Sequence, residues 1–159
     1  MRNLARAPWP YSPEDAKRFL AAGEAGRHPH LFVTLPGAHG SRLVGCVGLA
    51  SEDGETELGY WIAQGHWGRG YATEAVRSVL SLARTLGHRR VTARHFADNP
   101  ASRRVLEKAG FRETGEIRLG HSAARIAPAP AVVHAIDLAC PLGCDGPEDG
   151  GLAPMRRAA

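Results

Sequence analysis

The sequence predicts an α/β domain that begins with antiparallel hairpin strands and turns parallel only around one helix, and three observations lead there. Two apolar runs, Leu31–Leu35 and Leu43–Ala50, are separated by Pro36-Gly37-Ala38-His39-Gly40-Ser41, the composition of a hairpin turn. A third run ends in Gln64-Gly-His-Trp-Gly-Arg-Gly-Tyr-Ala-Thr-Glu-Ala75, a glycine-rich turn placed directly before an amphipathic helix. A second strand-then-helix unit follows it, and two strands close the pattern. At 159 residues the chain fits one domain, able to bury roughly two-thirds of its unfolded surface.

The elements follow in order from local chemistry. Ser12-Pro13-Glu14-Asp15 supplies a cap, an N1 proline and first-turn acids for a short helix ending near Gly23 or Gly26. The hairpin strands come next, and then Thr56–Ala63 alternates as a strand. Leu58, Tyr60 and Ile62 share one of its faces, while Glu57, Gly59 and Trp61 share the other. After the glycine turn, Ala72, Ala75, Val76, Val79, Leu80, Ala83 and Leu86 recur at helical spacing up to Gly87, a usual residue just past a helix end. Arg90–Phe96 reads as a strand with Val91, Ala93 and His95 on one face. Asn99 caps a helix that has Pro100 at N1 and stops at Gly110. Phe111–Arg118 and Ala131–Leu138 are the closing strands. From Pro141 onward, Gly, Pro and Asp with a final Arg156-Arg157 describe a disordered tail, so residues 1–139 form the domain and 140–159 the tail.

Composition excludes several classes. Hydrophobic residues are 43% and charged residues 23%, a globular balance rather than a disordered one. No apolar run approaches the ~20 residues of a membrane span, and the N-terminus lacks a signal-peptide core, so no membrane is involved and a cytoplasmic protein is expected. The net charge of +4 suits an acidic ligand such as a phosphorylated cofactor. No basic stripe interleaved with aromatics marks a specific nucleic-acid surface. Cys46, Cys140 and Cys144 form no CxxC pair, and no metal is expected: Cys46 sits in an apolar run as a small core residue, and the spacing of Cys140 and Cys144 from His134 is not that of a zinc site.

The glycine turn carries the chemistry. The first N–H groups of the helix have no intrahelical acceptor, and glycines at 68 and 70 let the chain turn tightly without a Cβ between it and a ligand. A pyrophosphate would satisfy those groups, helped by the helix macrodipole. A Walker A loop would need Lys and Ser/Thr after its last glycine, where Tyr71 and Ala72 stand. A dinucleotide fold would need more β-α repeats and an acid about 20 residues on, whereas the nearest past the next strand is Asp98. A purely structural turn is the remaining reading of the local pattern.

Four motifs together resemble a known family: Glu57-Leu-Gly-Tyr-Trp-Ile62, His66-Trp-Gly-Arg-Gly-Tyr-Ala-Thr-Glu-Ala75, Asn99-Pro-Ala-Ser102 and Glu107-Lys-Ala-Gly-Phe111. Their order and spacing are similar to those of the GCN5-related N-acetyltransferases (GNATs), and within them to the RimJ/RimL branch that acetylates ribosomal-protein N-termini. The resemblance covers about residues 8–138. It implies a mixed, mostly antiparallel sheet whose two central strands splay apart. It also implies acetyl-CoA as cosubstrate, its pyrophosphate held by the main chain of Trp67, Gly68, Arg69, Gly70, Tyr71 and Ala72 with the Thr73 hydroxyl in reach. By the same resemblance the pantetheine arm lies in the gap beside Trp61 and Ile62, and Asn99 and Ser102 hold it near the thioester.

The reaction so implied is direct attack of a primary amine on the thioester, which needs a neutral amine, a stabilised oxyanion and protonation of the leaving thiolate. A protein α-amine, with a pKa of about 7.7–8.0, needs only a weak base, unlike a lysine at about 10.4. A protein N-terminus is therefore the expected acceptor. A small-molecule amine and a non-catalytic CoA-binding module are the alternatives. Glu57 is the candidate base and Ser102 the candidate donor to the thiolate. Tyr60 and Trp61 are open to an acceptor-pocket or a core role, Trp67 is expected to pack beneath the loop, and Glu74 is assigned to the helix N-terminus. His66 and His95 are expected to be loop or packing histidines.

Two departures from the family stand out. Gly65 occupies a position where many members carry Arg or Gln, with Gln64 one step earlier. Members also have a strand and a helix before the Pro8-Trp-Pro-Tyr11 segment, which here lies near the first residue, so the expectation is a domain without them. Its exposed sheet edge could be covered by a second copy in a homodimer.

Overall fold

The computed structural model describes residues 2–5, 7–25, 29–38, 40–52 and 54–138. The expected tail, with Cys140 and Cys144, lies outside the described residues, as does Gly26. Helix α1 spans Pro13–Ala25 and opens on a reciprocal capping box: the Asp15 N–H donates to the Ser12 hydroxyl at 3.2 Å, and the Ser12 N–H donates to the Asp15 carboxylate at 2.9 Å. Strands β1 (His30–Gly37), β2 (Gly40–Glu52) and β3 (Glu55–Ile62) form an antiparallel meander. Helix α2 (Tyr71–Thr85) leads to β4 (Arg90–Phe96), α3 (Pro100–Ala109) to β5 (Arg112–Gly120), and β6 (Ala129–Asp137) completes the order. No helix among the described residues is long and apolar enough to cross a membrane.

One six-stranded sheet results, in the order β1-β2-β3-β4-β6-β5. It is antiparallel except between β3 and β4, whose parallel contact consists of the register pairs Glu57↔Thr92 and Leu58↔Ala93. Beyond these two pairs the strands part, and the gap between them is the splay implied by the family resemblance.

The core lies between the sheet and the two helices α2 and α3. Val76, Val79, Leu80 and Ala83 from α2 and Leu106 from α3 pack on Val47, Leu49, Leu58, Val91 and Ala93. Alternation in β3 and β4 puts Leu58, Tyr60, Val91 and Ala93 on this helix-covered face, as their spacing predicts. Cys46 is buried, in line with its apolar run.

Element ends differ from the sequence reading for identifiable reasons. β2 runs to Glu52 because β3 pairs with it down to Glu52↔Glu55, carrying polar residues that alternation alone would leave in a turn. β5 and β6 extend to Gly120 and Ala129 by pairing with each other, past Pro130, whose missing N–H is tolerated at the start of the strand.

Candidate functional site

The end of β3 and the turn after it are fixed by a short relay of main-chain bonds. Ala63 N–H donates to the Val44 carbonyl at 2.8 Å, and a 3-10 turn, Gln64–His66, follows. Trp67 does not pack beneath the loop. The residue is 62% exposed, because its indole Nε1–H donates to the Ile62 carbonyl at 2.6 Å and holds the side chain on the outside of the turn.

Underneath the turn sits His66 instead, buried, with Nε2 accepting from the Arg42 guanidinium. That bond assigns the ring proton to Nδ1, a buried atom with no hydrogen-bond partner. Burial, followed by the charges of Arg42 and Arg69, holds the His66 pKa below its ordinary value.

Gly68 and Gly70 adopt φ of 73° and 86°, the left-handed region that side chains resist. Gly70 is the N-cap of α2, and the Glu74 N–H donates to its carbonyl at 3.1 Å. Tyr71, Ala72 and Thr73 therefore have N–H groups with no acceptor inside the helix. Beside them runs an open groove of about 420 Å³ lined by Gly70, Thr73, Glu74, Arg77, Ser78 and Lys108. Glu74 thus lines the groove as well as serving the helix. Arg77 and Lys108 are cations that the motif reading overlooked. They come from different helices, tied by Arg77 Nη2 donating to the Lys108 carbonyl at 2.6 Å, and no local spacing pairs residues 31 positions apart.

Side-chain contacts flank the gap between β3 and β4 on both faces of the sheet, tying β3 to α3 on one and to β4 on the other. On the helix-covered face, the Tyr60 hydroxyl lies 2.6 Å from Ser102 Oγ and 3.3 Å from the Ser102 carbonyl. Burial, partly offset by the Ser102 bond, pushes the Tyr60 pKa up to about 12, so the phenol keeps its proton at neutral pH. Asn99 caps α3 by accepting from the Ser102 N–H at 3.3 Å. Asp98, just before it, is held near 2 chiefly by its bond to Arg125, whose guanidinium also stacks 4.0 Å from the Phe96 ring centroid.

On the opposite face, both oxygens of Glu57 accept from Arg94, Oε1 from Nε and Oε2 from Nη2, each at 2.8 Å. Trp61 lies on the same side of β3, half-buried, and its partner across the strand pair is Cys46. The structure thus places Glu57 and Ser102 on opposite faces of the sheet rather than in one cluster. Ser102 is brought together with Tyr60 and Asn99, and Glu57 with Arg94.

His95 and His134 form a buried pair deeper on the helix-covered face. His95 Nδ1 must donate to the Phe96 carbonyl at 2.8 Å, so its Nε2 accepts from His134 Nε2–H at 3.0 Å. The His134 pKa lies below its ordinary value, first through burial and then through His95. His95 is thus a packing histidine.

Known proteins resemble this arrangement. A family model described as "Acetyltransferase (GNAT) domain" matches residues 1–112. The uncharacterized N-acetyltransferase YoaA of Bacillus subtilis strain 168 is 40% identical over 80 residues, 48% of this chain and 45% of that protein, so the match spans less than half of the relative's length. Among solved structures, a ribosomal-protein-S5-alanine acetyltransferase from Vibrio fischeri superposes with a TM-score of 0.66 at 17% identity, covering 80% of this chain and 73% of that one. A structure of yncA from Salmonella typhimurium, described as a putative acetyltransferase with its cofactor acetyl-CoA, gives a TM-score of 0.66 at 20% identity over 87% and 84% of the two chains. At these identities the solved structures share the fold.

Proposed function

The chain belongs to the GNAT acetyltransferase family, and from that premise we propose that it transfers an acetyl group from acetyl-CoA to a protein N-terminal amine. The domain is that of an N-acetyltransferase, and the cosubstrate of its fold is acetyl-CoA. The observation that carries the cofactor reading is the pair of left-handed glycines that leaves the N–H groups of Tyr71, Ala72 and Thr73 open beside a groove with Arg77 and Lys108. In this reading the main chain from Trp67 to Ala72, with the Thr73 hydroxyl, holds the pyrophosphate. The pantetheine arm enters the gap beside Trp61 and Ile62, where the Ile62 carbonyl has one lone pair left by Trp67.

Asn99 and Ser102 face the thioester end. Ser102 Oγ is the candidate donor to the departing thiolate, and the Tyr60 phenol, which keeps its own proton at neutral pH, orients that hydroxyl through their 2.6 Å hydrogen bond. A base role for Glu57 would have to use a lone pair other than those the Arg94 fork engages. For an α-amine, a tenth or so of which is neutral at pH 7, a water suffices. The α-amine acceptor and the RimJ/RimL likeness are supported by the quoted motifs and by the likeness to the Vibrio fischeri enzyme.

Two measurements test this. Acetyl-CoA at a hundred times its Kd should stabilise the protein by about 2.7 kcal/mol in thermal denaturation, and NAD should not. Release of free CoA should accelerate with peptides bearing a free α-amine and not with their N-blocked forms. Acceleration by polyamines or amino acids alone would move the acceptor to small molecules, and binding without release would make the domain a CoA-binding module.

A further inference from the structure

The geometry points to Glu57 and Arg94 as a positioning pair that fixes where β3 and β4 separate, with Glu57 serving there rather than as the proton acceptor. This rests on the reading of the gap as the acetyl-CoA arm's seat. Register locates the pair. Glu57 is opposite Thr92 and Leu58 opposite Ala93, and continued pairing would have set Arg94 opposite Gly59. Arg94 instead reaches back along the face it shares with Glu57. Its planar fork meets both carboxylate oxygens at 2.8 Å, the geometry in which a guanidinium resists displacement most.

The residues around the pair reinforce that role. The two side chains are only 22% and 15% exposed, so solvent screens their attraction less than at a surface. Glu55, Thr92, Arg118 and Val133 close around them, leaving a void of about 10 Å³, room for about one water. Arg118 Nη2 lies 3.8 Å from Glu55, and its Nε lies 2.5 Å from Glu116, so charge alternates from β3 across to β5. A proton acceptor must present a lone pair to the incoming amine, whereas the strongest acceptor positions of Glu57 point at Arg94. An unpaired carboxylate beside the gap would also repel the oxyanion that forms on the thioester carbonyl, and the guanidinium cancels that charge.

The test uses Glu57→Gln, Arg94→Gln, both together, the exchanged pair Glu57→Arg/Arg94→Glu, and Glu14→Gln on the exposed face of α1 as control. Each single change should weaken acetyl-CoA binding, read by calorimetry, by roughly tenfold, the scale of coupling between residues in contact. The double Gln variant should be no worse than either single, and the exchanged pair should regain most of the loss. In the ligand-free protein, amide exchange at residues 59–61 and 94–95 should quicken in both singles and stay unchanged in the control. The acid limb of the kcat–pH profile should survive in Glu57→Gln.

Wild-type affinity and wild-type exchange in both singles would overturn the inference. So would loss of the acid limb in Glu57→Gln with Arg94→Gln unaffected, which is the signature of a base. A native protein that fails to bind acetyl-CoA would sink the cofactor reading alone, because the exchange rates still report whether the pair holds the strands.

Discussion

Eight register pairs join β2 to β3 and seven join β4 to β6, while two join β3 to β4. Each half of the sheet is thus a cohesive antiparallel block, and the seam between the blocks is narrow. Past Leu58 and Ala93, each strand turns an unpaired edge toward the other, inside the fold rather than at its rim. Such edges normally invite another strand. Here they frame a slot whose mouth is the glycine turn, so the weakest main-chain pairing in the sheet lies where an extended ligand could supply the missing partner. Side chains then take over what the backbone gives up: Tyr60 with Ser102 on one face and Glu57 with Arg94 on the other.

Changes at the seam should therefore cost more, or cost differently, than changes within a block. The largest effect is expected for Leu58→Ala. This side chain is 2% exposed at the last paired position, and its truncation should lower stability by about 2–5 kcal/mol in urea titration. Gly70→Ala comes next, at about 1–2 kcal/mol from the left-handed backbone it would force on a side chain. That change should also reduce acetyl-CoA affinity, because it deforms the turn that presents the free N–H groups.

Tyr60→Phe should cost about 1 kcal/mol, the net worth of one hydrogen bond, and Ser102→Ala a similar amount. The same phenol gives an alkaline signature. Its folded pKa of about 12 exceeds its ordinary 10, so its contribution is complete below pH 10 and is lost as pH rises toward 12. Ultraviolet titration of the native protein should show a late tyrosinate step that Tyr60→Phe removes and that denaturation brings down to the ordinary pH.

The smallest effect belongs to the β4–β6 block. His134 titrates below its ordinary 6.5 in the folded state, so above that value it carries no penalty. As pH falls from 6.5 through the depressed value, the unfolded chain takes up the proton first and stability declines. His134→Gln should flatten that slope in denaturation series from pH 7 to 5, and a seam variant such as Tyr60→Phe should leave it unchanged.

The blocks and the seam were not equally legible in the sequence. Asn99, Pro100 and Gly110 mark both ends of α3 because capping is local chemistry, and Gly68 and Gly70 mark the turn because positive φ is nearly a glycine property. The alternating face of β3 also reads correctly, since the side-chain period of a strand is two. What links Arg42 to His66, Tyr60 to Ser102 and Glu57 to Arg94 is different in kind. These partners lie 24, 42 and 37 residues apart, and they meet only once register and the point of strand separation are known. No periodicity encodes either. Trp67 went astray for a related reason: a bulky aromatic beside a turn suggests burial, but the nearby Ile62 carbonyl offered its indole N–H a partner at the surface.

That outward indole makes the turn self-reporting. Of the chain's three tryptophans, Trp67 stands on the glycine turn with most of its ring in water, and its N–H is anchored to the strand that borders the slot. Its fluorescence should start red-shifted and quenchable by iodide, then shift to the blue and gain protection when a cofactor settles over the turn. Occupancy could thus be followed in real time without a label, with Trp67→Phe removing the signal while leaving the emission of Trp9 and Trp61 as background.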